Sequence, residues 1–298
     1  MPSWQARAVS LYLRLTRKRR YRTPEHGERS LAHGQPETAP PTSLEGRVSE
    51  ERMAGVEVFR VLPGGGTESG SAEADSAGIG QAPLVYWHGG AFINGIAKQH
   101  WQLVEHLATA TGREVLVPQY ALAPAHNLDD TLPLLEAVLQ AVPGDLPVHV
   151  LGDSAGGTLA LLQAQRHPDR VAGLTLIAPW LDLSMGNPGV DLIEPHDPWL
   201  TRAGLRPAAR AWAAGRDLRH RDVSPLFGDL DQLPPTLVLV GDRDICLPDC
   251  ELLAAQAGSV VTLRVGVGLP HVYPLLPIPE ARPARAEIVH HIQDTLSS

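Results

Sequence analysis

The segment Val148–Gly157, which reads VHVLGDSAGG, is the most informative part of this 298-residue chain. A short apolar run leads into the pattern G-x-S-x-G, and a helical segment follows it. A strand-to-helix turn this sharp forces Ser154 into a strained backbone conformation, and the small neighbours Gly152 and Gly156 let the chain pass close by. The pattern predicts a nucleophilic serine at the end of a buried strand, with the backbone N–H of Ala155 pointing at the same spot.

Short apolar runs alternate with helical segments on both sides of this stretch. The predicted strands are Leu84–Trp87, Glu114–Pro118, Val148–Gly152, Leu174–Ala178, Thr236–Val240 and Thr262–Val265. The predicted helices are Gln99–Thr111, Leu128–Val142, Ala155–Arg166, Pro248–Ala257 and Glu280–Leu296. Apolar strands that alternate with helices imply an α/β fold with a mostly parallel sheet covered on both faces. A strand pair, Arg47–Met53 and Val56–Leu62, is predicted to precede this region.

A second motif, His88-Gly89-Gly90-Ala91, follows the first of these strands, and its histidine lies 66 residues before Ser154. A tetrahedral intermediate needs preorganised N–H donors around its developing negative charge, and glycines allow consecutive N–H groups to converge. An HGGG-type loop has this role in lipases and esterases. We therefore predict that Gly89, Gly90 and Ala155 form an oxyanion hole, and that His88 fixes the loop by hydrogen bonding.

The other members of a serine triad are expected in the chain order Ser, Asp or Glu, His. Asp242 and Asp244 both follow an apolar strand, and we choose Asp244 because Asp242 comes earlier in the turn. His271 lies 27 residues after Asp244, in the loop past the last predicted strand. We predict that His271 takes the Ser154 proton and that Asp244 holds the imidazole tautomer. Asp153 is interpreted as a structural residue of the turn.

Composition excludes several classes of protein. The 25 basic and 33 acidic side chains give a net charge of −8, which argues against nucleic acid as the main partner. No run of about 18 apolar residues occurs, so no transmembrane helix is predicted. The two cysteines, Cys246 and Cys250, cannot build a disulfide scaffold, and no nearby Cys/His pair completes a zinc site. We predict reduced packing cysteines, no metal and, since no secretory signal is visible, a cytoplasmic location.

The first 22 residues differ in charge from the rest of the chain. They carry seven basic side chains and no acidic one, which leaves 18 basic against 33 acidic residues, a net charge near −15, elsewhere. Apolar side chains at helical spacing form one stripe here: Trp4, Ala8, Leu11, Tyr12 and Leu15. Two interpretations stay open, a helix packed on the body and a lid or membrane-surface helix that contacts lipid or an apolar substrate.

Three other segments interrupt the alternating pattern. Residues 23–44 are rich in Pro, Ser, Gly and Glu and predict a linker or irregular loop. The Gly/Ser-rich insertion at 63–81 predicts a flexible, exposed turn. The segment Gly186–Asp222 holds two tryptophans and several arginines and predicts an inserted helical excursion.

Taken together, the motifs resemble the hormone-sensitive-lipase-like group of α/β-hydrolases, bacterial esterases with a GDSAG turn. The matching motifs, in the family's order, are His88-Gly89-Gly90, Tyr120-Ala121-Leu122-Ala123-Pro124, Gly152–Gly157, Ser224-Pro225-Leu226, Asp244 with Asp249, and His271. The resemblance spans residues 83–296 and implies an α/β-hydrolase fold without a cofactor that hydrolyses short-to-medium acyl esters. It also implies one domain over 1–298 with a cap from about 1–45 and 186–222. The C-terminal strand and helix are a common pairing surface in the family, so the resemblance leaves open whether the chain forms a homodimer.

Two positions depart from the family pattern. Ala91 replaces the usual third glycine, and Tyr120-Ala121 stands where the family typically has Tyr-Arg. Three other functions remain open: an amidase or arylformamidase on the same scaffold, a non-catalytic small-molecule receptor and a scaffolding protein. The receptor alternative rests on the plant gibberellin receptor, which resembles this family but lacks the catalytic histidine. His271 is present in this chain, which argues against that alternative.

Overall fold

The computed structural model describes residues 1–64, 81–144 and 146–297. The glycine- and serine-rich insertion predicted at 63–81 lies almost entirely outside the described residues. The described strands are β1 (Val48–Met53), β2 (Val56–Val61), β3 (Leu84–Trp87), β4 (Val115–Pro118), β5 (Val148–Asp153), β6 (Val171–Ile177), β7 (Thr236–Arg243) and β8 (Val261–Pro270). They form one sheet in the order β1-β2-β4-β3-β5-β6-β7-β8.

The sheet is mostly parallel, as predicted. The pairs β1–β2 and β2–β4 are antiparallel, and every pair from β4 to β8 is parallel. Every residue of β3, β4 and β5 is buried, which requires cover on both faces of the sheet. The α/β-hydrolase fold predicted from the sequence is therefore confirmed.

Helices supply this cover. Those described are α1 (Trp4–Thr16), α2 (Pro24–Ala32), α3 (Lys98–Thr111), α4 (Leu128–Gln140), α5 (Ala155–Arg166), α6 (Val190–Ile193), α7 (Arg202–Trp212), α8 (Leu247–Ala257) and α9 (Ala281–Ser297). Helix α5 has the predicted bounds, and it packs against β5, β6 and β3. Helix α9 packs against β6 and β5.

The order of the strands in the sheet determines where the HGG loop and the serine turn lie. The chain runs from β3 outward to β4 and then returns across β3 to β5, so the winding direction reverses between β3 and β5. Open α/β sheets bind ligands beyond the carboxyl ends of their strands at such a reversal. The HGG loop follows β3 and the serine turn follows β5, so both motifs lie at this point.

The structure differs from the predictions most in two segments. Strand β8 extends to Pro270, well past the predicted end at Val265, because it continues through Gly266 and Gly268, which weaken the strand signal of the sequence. Residues 23–44 were predicted to be a linker or irregular loop, yet they contain α2. This helix begins with Pro24 at its first position, and the Thr23 side chain caps it by accepting a hydrogen bond from the His26 backbone N–H at 3.4 Å.

Helix α1 forms where predicted, but the apolar stripe does not face the body. The face that packs inward consists of Ala6, Ser10 and Leu13, all buried. The stripe points to solvent, with Trp4 67% and Leu15 62% exposed. Two of these inward side chains, Ala6 and Ser10, are small, so the helix backbone can lie close to the body on this face. Among the described residues, no helix combines the length and apolar character needed to cross a bilayer.

The N-terminal helices pack against the predicted excursion. A Cβ placed on Gly27 of α2 would lie 2.3 Å from the carbonyl oxygen of Gly204 in α7, so the two backbones are in close contact. The Thr201 hydroxyl also donates a hydrogen bond to the Tyr21 carbonyl. The two segments from which a cap was predicted therefore contact each other directly.

Candidate active site

The serine turn has the strained geometry that its sequence predicts. Ser154 directly follows β5 and has φ +50°, a conformation that costs a residue with a side chain about 1–3 kcal/mol. A Cβ on Gly152 would lie 2.2 Å from the Gly156 carbonyl oxygen, and one on Gly156 would lie 2.0 Å from the Trp87 carbonyl oxygen. Both glycines are therefore required by close backbone contact. The strain and packing hold the Ser154 side chain, which is partly exposed, at the edge of the sheet.

Three side chains from distant parts of the chain meet here. The His271 Nε2 lies 2.9 Å from the Ser154 Oγ, and its Nδ1 lies 2.8 Å from the Asp244 Oδ2. Asp244 directly follows β7, and His271 directly follows β8. Because parallel strands end at the same edge of the sheet, residues 117 and 27 positions apart become neighbours. The predicted residues therefore have the geometry of a nucleophile, a base and an orienting acid.

The two candidate acids have different positions. Asp244 is buried, and its Oδ1 accepts a hydrogen bond from the Cys246 backbone N–H at 3.0 Å, which aims the other oxygen at His271. The Asp242 carboxylate accepts a hydrogen bond from the Gly268 backbone N–H at 2.6 Å. Asp242 therefore ties β7 to the end of β8, which carries His271, while Asp244 contacts the imidazole itself.

Asp153 holds the HGG loop in place. Its buried carboxylate accepts hydrogen bonds from the Tyr86 hydroxyl at 2.5 Å and the Gly89 N–H at 2.9 Å, and it pairs with His100 at 3.4 Å. Burial by itself raises the pKa of Asp153, but the charge and hydrogen bond of His100, with those of Tyr86 and Gly89, lower it below its ordinary value. The structural role predicted for Asp153 thus has a definite target, the oxyanion loop.

The same contact corrects one predicted oxyanion donor. The Gly89 N–H is already donated to Asp153, so it cannot serve as a free donor to a substrate oxygen. The N–H groups of Gly90, Ala91 and Ala155 make no hydrogen bond within the described parts of the chain. The prediction of Gly89 is therefore wrong in this geometry, and Ala91 takes its place as a candidate donor. Sequence alone could not reveal this, because the competing carboxylate lies 64 residues away.

The HGG loop is strained beyond its glycines. Gly90 has φ +135°, and the next two residues, Ala91 and Phe92, have φ of +54° and +61°. Ala91 therefore holds a left-handed conformation at the position where the family usually has glycine, which explains that departure as a tolerated cost rather than a change of path. The Asn94 side chain donates a hydrogen bond to the Gly90 carbonyl at 2.9 Å and supports the turn.

His88 supports the loop rather than taking part in proton transfer. Its ring is fully buried, stacks on Tyr120 with centroids 4.5 Å apart, and places Nδ1 2.7 Å from the Gly89 carbonyl. The Tyr120 hydroxyl donates to the His88 carbonyl at 2.9 Å. Burial, reinforced by the nearby His100, lowers the pKa of His88 to about 4, so the ring is neutral at pH 7.

The surroundings of His271 favour its protonated form. Burial by itself lowers the pKa of the imidazole, but the charge and hydrogen bond of Asp244, followed by the charges of Asp197 and Asp153, raise it above the ordinary value of 6.5. A histidine with this shift is a stronger base once it has lost its proton. It accepts the serine proton only when neutral, so activity should rise with pH through a value above 6.5.

Asp197 is a buried acid beside Asp244 and His271 that the sequence analysis did not identify. It lies in the excursion, fully buried, and one carboxylate oxygen accepts hydrogen bonds from the Trp199 and Leu200 backbone N–H groups at 2.6 and 2.8 Å. The other oxygen accepts from the backbone N–H of Ile245, the residue after Asp244, at 3.0 Å. The Trp199 ring packs edge-on against the His271 ring with centroids 5.7 Å apart. Asp197 therefore joins the excursion to the acid and the base.

We expect Asp197→Asn to move the acid limb of the kcat/KM profile to lower pH by about half a unit to one unit. Burial and the neighbouring Asp244 raise the pKa of Asp197 to about 6, so its charge is present at pH 7 and raises the His271 pKa. Removing that charge lowers the His271 pKa. Asp182→Asn is the matched control, because Asp182 is also buried and accepts backbone hydrogen bonds, from Ser184 and Gly186. An acid limb that does not shift in Asp197→Asn would contradict the inference that the Asp197 charge raises the His271 pKa.

Both cysteines are buried, carry free thiols and follow the acid. Burial, followed by the charge of Asp244, raises the pKa of both thiols, so they stay protonated and unreactive near pH 7. The ligand atoms of Asp244, Cys246 and His271 lie within 4.8 Å of one another. Asp244 and His271 are already paired, so a metal there would displace the triad hydrogen bond, and the absence of a metal stays a prediction.

Comparison with known proteins identifies the family. The alpha/beta hydrolase fold family matches residues 84–275. An esterase of Acinetobacter venetianus is 35% identical over 220 residues, covering 69% of this chain and 72% of the relative. An acetyl-hydrolase of Streptomyces hygroscopicus is 32% identical over 209 residues, covering 65% of this chain and 70% of the relative. The crystal structure of the hormone-sensitive-lipase homologue EstE7 from a metagenome library superimposes with a TM-score of 0.76 at 23% identity, covering 99% and 100% of the two chains. The chain belongs to the α/β-hydrolase fold family and is a carboxylic ester hydrolase.

Proposed function

We propose that the protein is a serine carboxylesterase that hydrolyses short-to-medium acyl esters through an acyl-enzyme intermediate. The observation that carries the proposal is the continuous chain of contacts from Ser154 to His271 at 2.9 Å and from His271 to Asp244 at 2.8 Å. The similarity to an esterase and an acetyl-hydrolase of bacteria supports it.

Acylation follows from this geometry. The Ser154 Oγ attacks the ester carbonyl carbon while His271 Nε2 accepts the hydroxyl proton. The carbonyl oxygen becomes an oxyanion, for which we propose the N–H groups of Gly90, Ala91 and Ala155 as donors. As the bond to the alcohol oxygen breaks, His271 returns the proton to the leaving alcohol, and the acyl group remains on Ser154.

Deacylation repeats the same steps with water. His271 takes a proton from the attacking water, the second oxyanion occupies the same donors, and the proton returns to Ser154 as the acid leaves. Asp244 stabilises the imidazolium in both halves of the reaction without accepting a proton itself. No step requires a cofactor.

Aromatic packing beside the serine supports a limit on acyl length. Phe92, two residues after Gly90, stacks on Trp212 with centroids 4.2 Å apart and on Trp180 at 5.9 Å. The Trp180 backbone N–H donates to the Ser154 carbonyl at 3.0 Å, so this wall adjoins both the oxyanion loop and the nucleophile. Large buried rings that stack on each other resist displacement by a long chain.

We further propose that about 1–45 and 186–222 form a cap on a single domain. The close contact of α2 with α7 and the position of Trp199 against His271 support this division. Residues of the cap then contact the base directly, so the cap would shape the pocket for the substrate.

A fluorophosphonate probe should label Ser154 with one equivalent per chain, detected by intact mass and peptide mapping.

In a series of p-nitrophenyl esters from acetate to dodecanoate, kcat/KM should be highest for the short and medium members and fall about tenfold or more by the longest. An N-formyl aryl amide serves as the competing substrate. Faster turnover of this amide than of any ester would favour the arylformamidase, and absence of labelling would favour the receptor or scaffold.

A further inference from the structure

Helix α1 presents an apolar face to solvent that nothing in the described chain covers. The outward stripe consists of four large side chains, each between 55% and 67% exposed: Trp4, Leu11, Tyr12 and Leu15. Exposed apolar residues that stand singly are ordinary, whereas a contiguous group of this kind marks an interaction surface. The stripe includes one tryptophan and one tyrosine, the residues that favour a boundary between water and lipid.

The stripe cannot turn inward without breaking specific contacts. The Ser3 backbone N–H, at the start of the helix, donates to the Glu280 carboxylate at 2.5 Å. At the other end, the Lys18 ammonium donates to the Glu194 carbonyl at 3.2 Å and to the Asp197 carbonyl. The opposite face is buried through Ala6 and Leu13. The helix is therefore held at both ends with its apolar face outward.

Arginines border the stripe. Successive residues of a helix are 100° apart, which places Arg7 and Arg14 along one side of the outward stripe. Neither guanidinium has a carboxylate within 4.0 Å in residues 1–64, 81–144 and 146–297. An apolar face flanked by unpaired cations is the pattern of helices that lie in the surface of an anionic membrane.

A basic cavity begins four residues beyond the stripe. It has a volume of about 400 Å³ and lies between the end of α1 and α2. Five basic side chains line it: Arg19, Arg20, His26, Arg29 and His33. The three guanidiniums likewise have no carboxylate partner among the described residues. Clustered guanidiniums repel one another unless an anion joins them, and a phosphate group suits their forked donors.

We propose that the outward stripe and the basic cavity together dock the enzyme on an anionic phospholipid surface. Trp4, Leu11 and Leu15 would enter the interface, while the cavity would bind lipid phosphates. A second copy of the chain is a poorer occupant, because an antiparallel two-fold contact between two stripes places the Arg7 and Arg14 guanidiniums of both copies on the same side of the contact, where they repel. Docking is independent of the proposed hydrolytic function, since no triad residue takes part.

The test uses the full-length protein and sedimentation with two kinds of vesicle, phosphatidylcholine alone and phosphatidylcholine with 30% phosphatidylglycerol. We expect the protein to bind the anionic vesicles at least about tenfold more tightly, and to lose this preference at high salt. Leu11→Gln/Leu15→Gln should weaken binding about tenfold or more, because two exposed apolar side chains no longer enter the interface. Both sites are exposed, and circular dichroism should show an unchanged fold.

Two further variants separate the contributions. Leu62→Gln removes an exposed leucine outside α1 and should leave vesicle binding within about twofold, as the control. Arg19→Gln/Arg20→Gln/Arg29→Gln should reduce the preference for anionic vesicles about tenfold while leaving weak binding to phosphatidylcholine. Sedimentation velocity measures self-association of the wild-type protein and of the Leu11→Gln/Leu15→Gln variant. Titration with inorganic phosphate measures whether the cavity binds a free anion.

Three outcomes would overturn the proposal. Equal or absent binding to the two vesicles would remove the lipid surface as the partner. Self-association that the Leu11→Gln/Leu15→Gln variant abolishes would assign the stripe to a second copy. Binding of inorganic phosphate without any vesicle binding would assign the cavity to a free anion.

Discussion

Ser154→Ala should lower kcat/KM for p-nitrophenyl butyrate by about 10⁴–10⁶-fold, because loss of the nucleophile alone removes about as much activity as loss of the whole triad. The hydroxyl supplies the atom that forms the acyl-enzyme, and neither His271 nor the oxyanion donors can replace it. Residual activity would come from water attacking a substrate held by those donors.

The fold should survive this substitution. Alanine keeps the Cβ, so it occupies the φ of +50° at about the same cost, and the hydrogen bond of the Oγ to His271 lies at a partly exposed position. We expect the melting temperature to change by no more than about 2–4 °C, and fluorophosphonate labelling to vanish. Ser43→Ala is the control, because Ser43 is exposed and its hydroxyl, within the part of the chain that the structure describes, bonds only to the Glu105 carboxylate. Retention of more than about a tenth of wild-type activity in a folded Ser154→Ala protein would refute the nucleophile.

Asp244→Asn should lower kcat by about 10³–10⁴-fold with little change in KM. In the wild-type protein the Asp244 carboxylate accepts the Nδ1–H of His271 at 2.8 Å. This leaves Nε2 unprotonated and able to take the serine proton. An asparagine that turns its amide N–H toward Nδ1 stabilises the other tautomer, whose Nε2 carries a proton and cannot act as a base. The loss of charge also lowers the His271 pKa, since Asp244 contributes most to raising it.

The neighbouring acid provides a matched control. Asp242→Asn removes the same charge two residues away, but the asparagine oxygen can still accept the Gly268 backbone N–H. We expect its kcat to stay within about tenfold of wild type. Steady-state rates for both variants from pH 5 to 9, with thermal unfolding to verify folding, decide the matter. A larger loss for Asp242→Asn than for Asp244→Asn would reverse the assignment of the acid.

Local pattern was sufficient for most of the sheet and helix elements, although not for α2, and for the order of the motifs. The strand Leu84–Trp87 and the helix Ala155–Arg166 have their predicted bounds, because a continuous apolar run and a helical run each carry their own signal. Ser154, Asp244 and His271 were predicted from strand ends in the family's chain order, and the structure places each directly after a strand. Parallel strands that share an edge bring such residues together whatever their separation in the chain.

The α/β architecture, the strained serine turn and the candidates for nucleophile, acid and base were all predictable from the sequence. Three features are visible only in the folded chain: Gly89 donates to Asp153 instead of a substrate, Asp197 accepts a hydrogen bond from the residue after Asp244, and α1 turns its apolar stripe to solvent. Hydrogen-bond competition and the facing of a helix depend on partners 48 to 277 residues away. Periodicity and motif spacing describe a segment, whereas these contacts are properties of the folded chain.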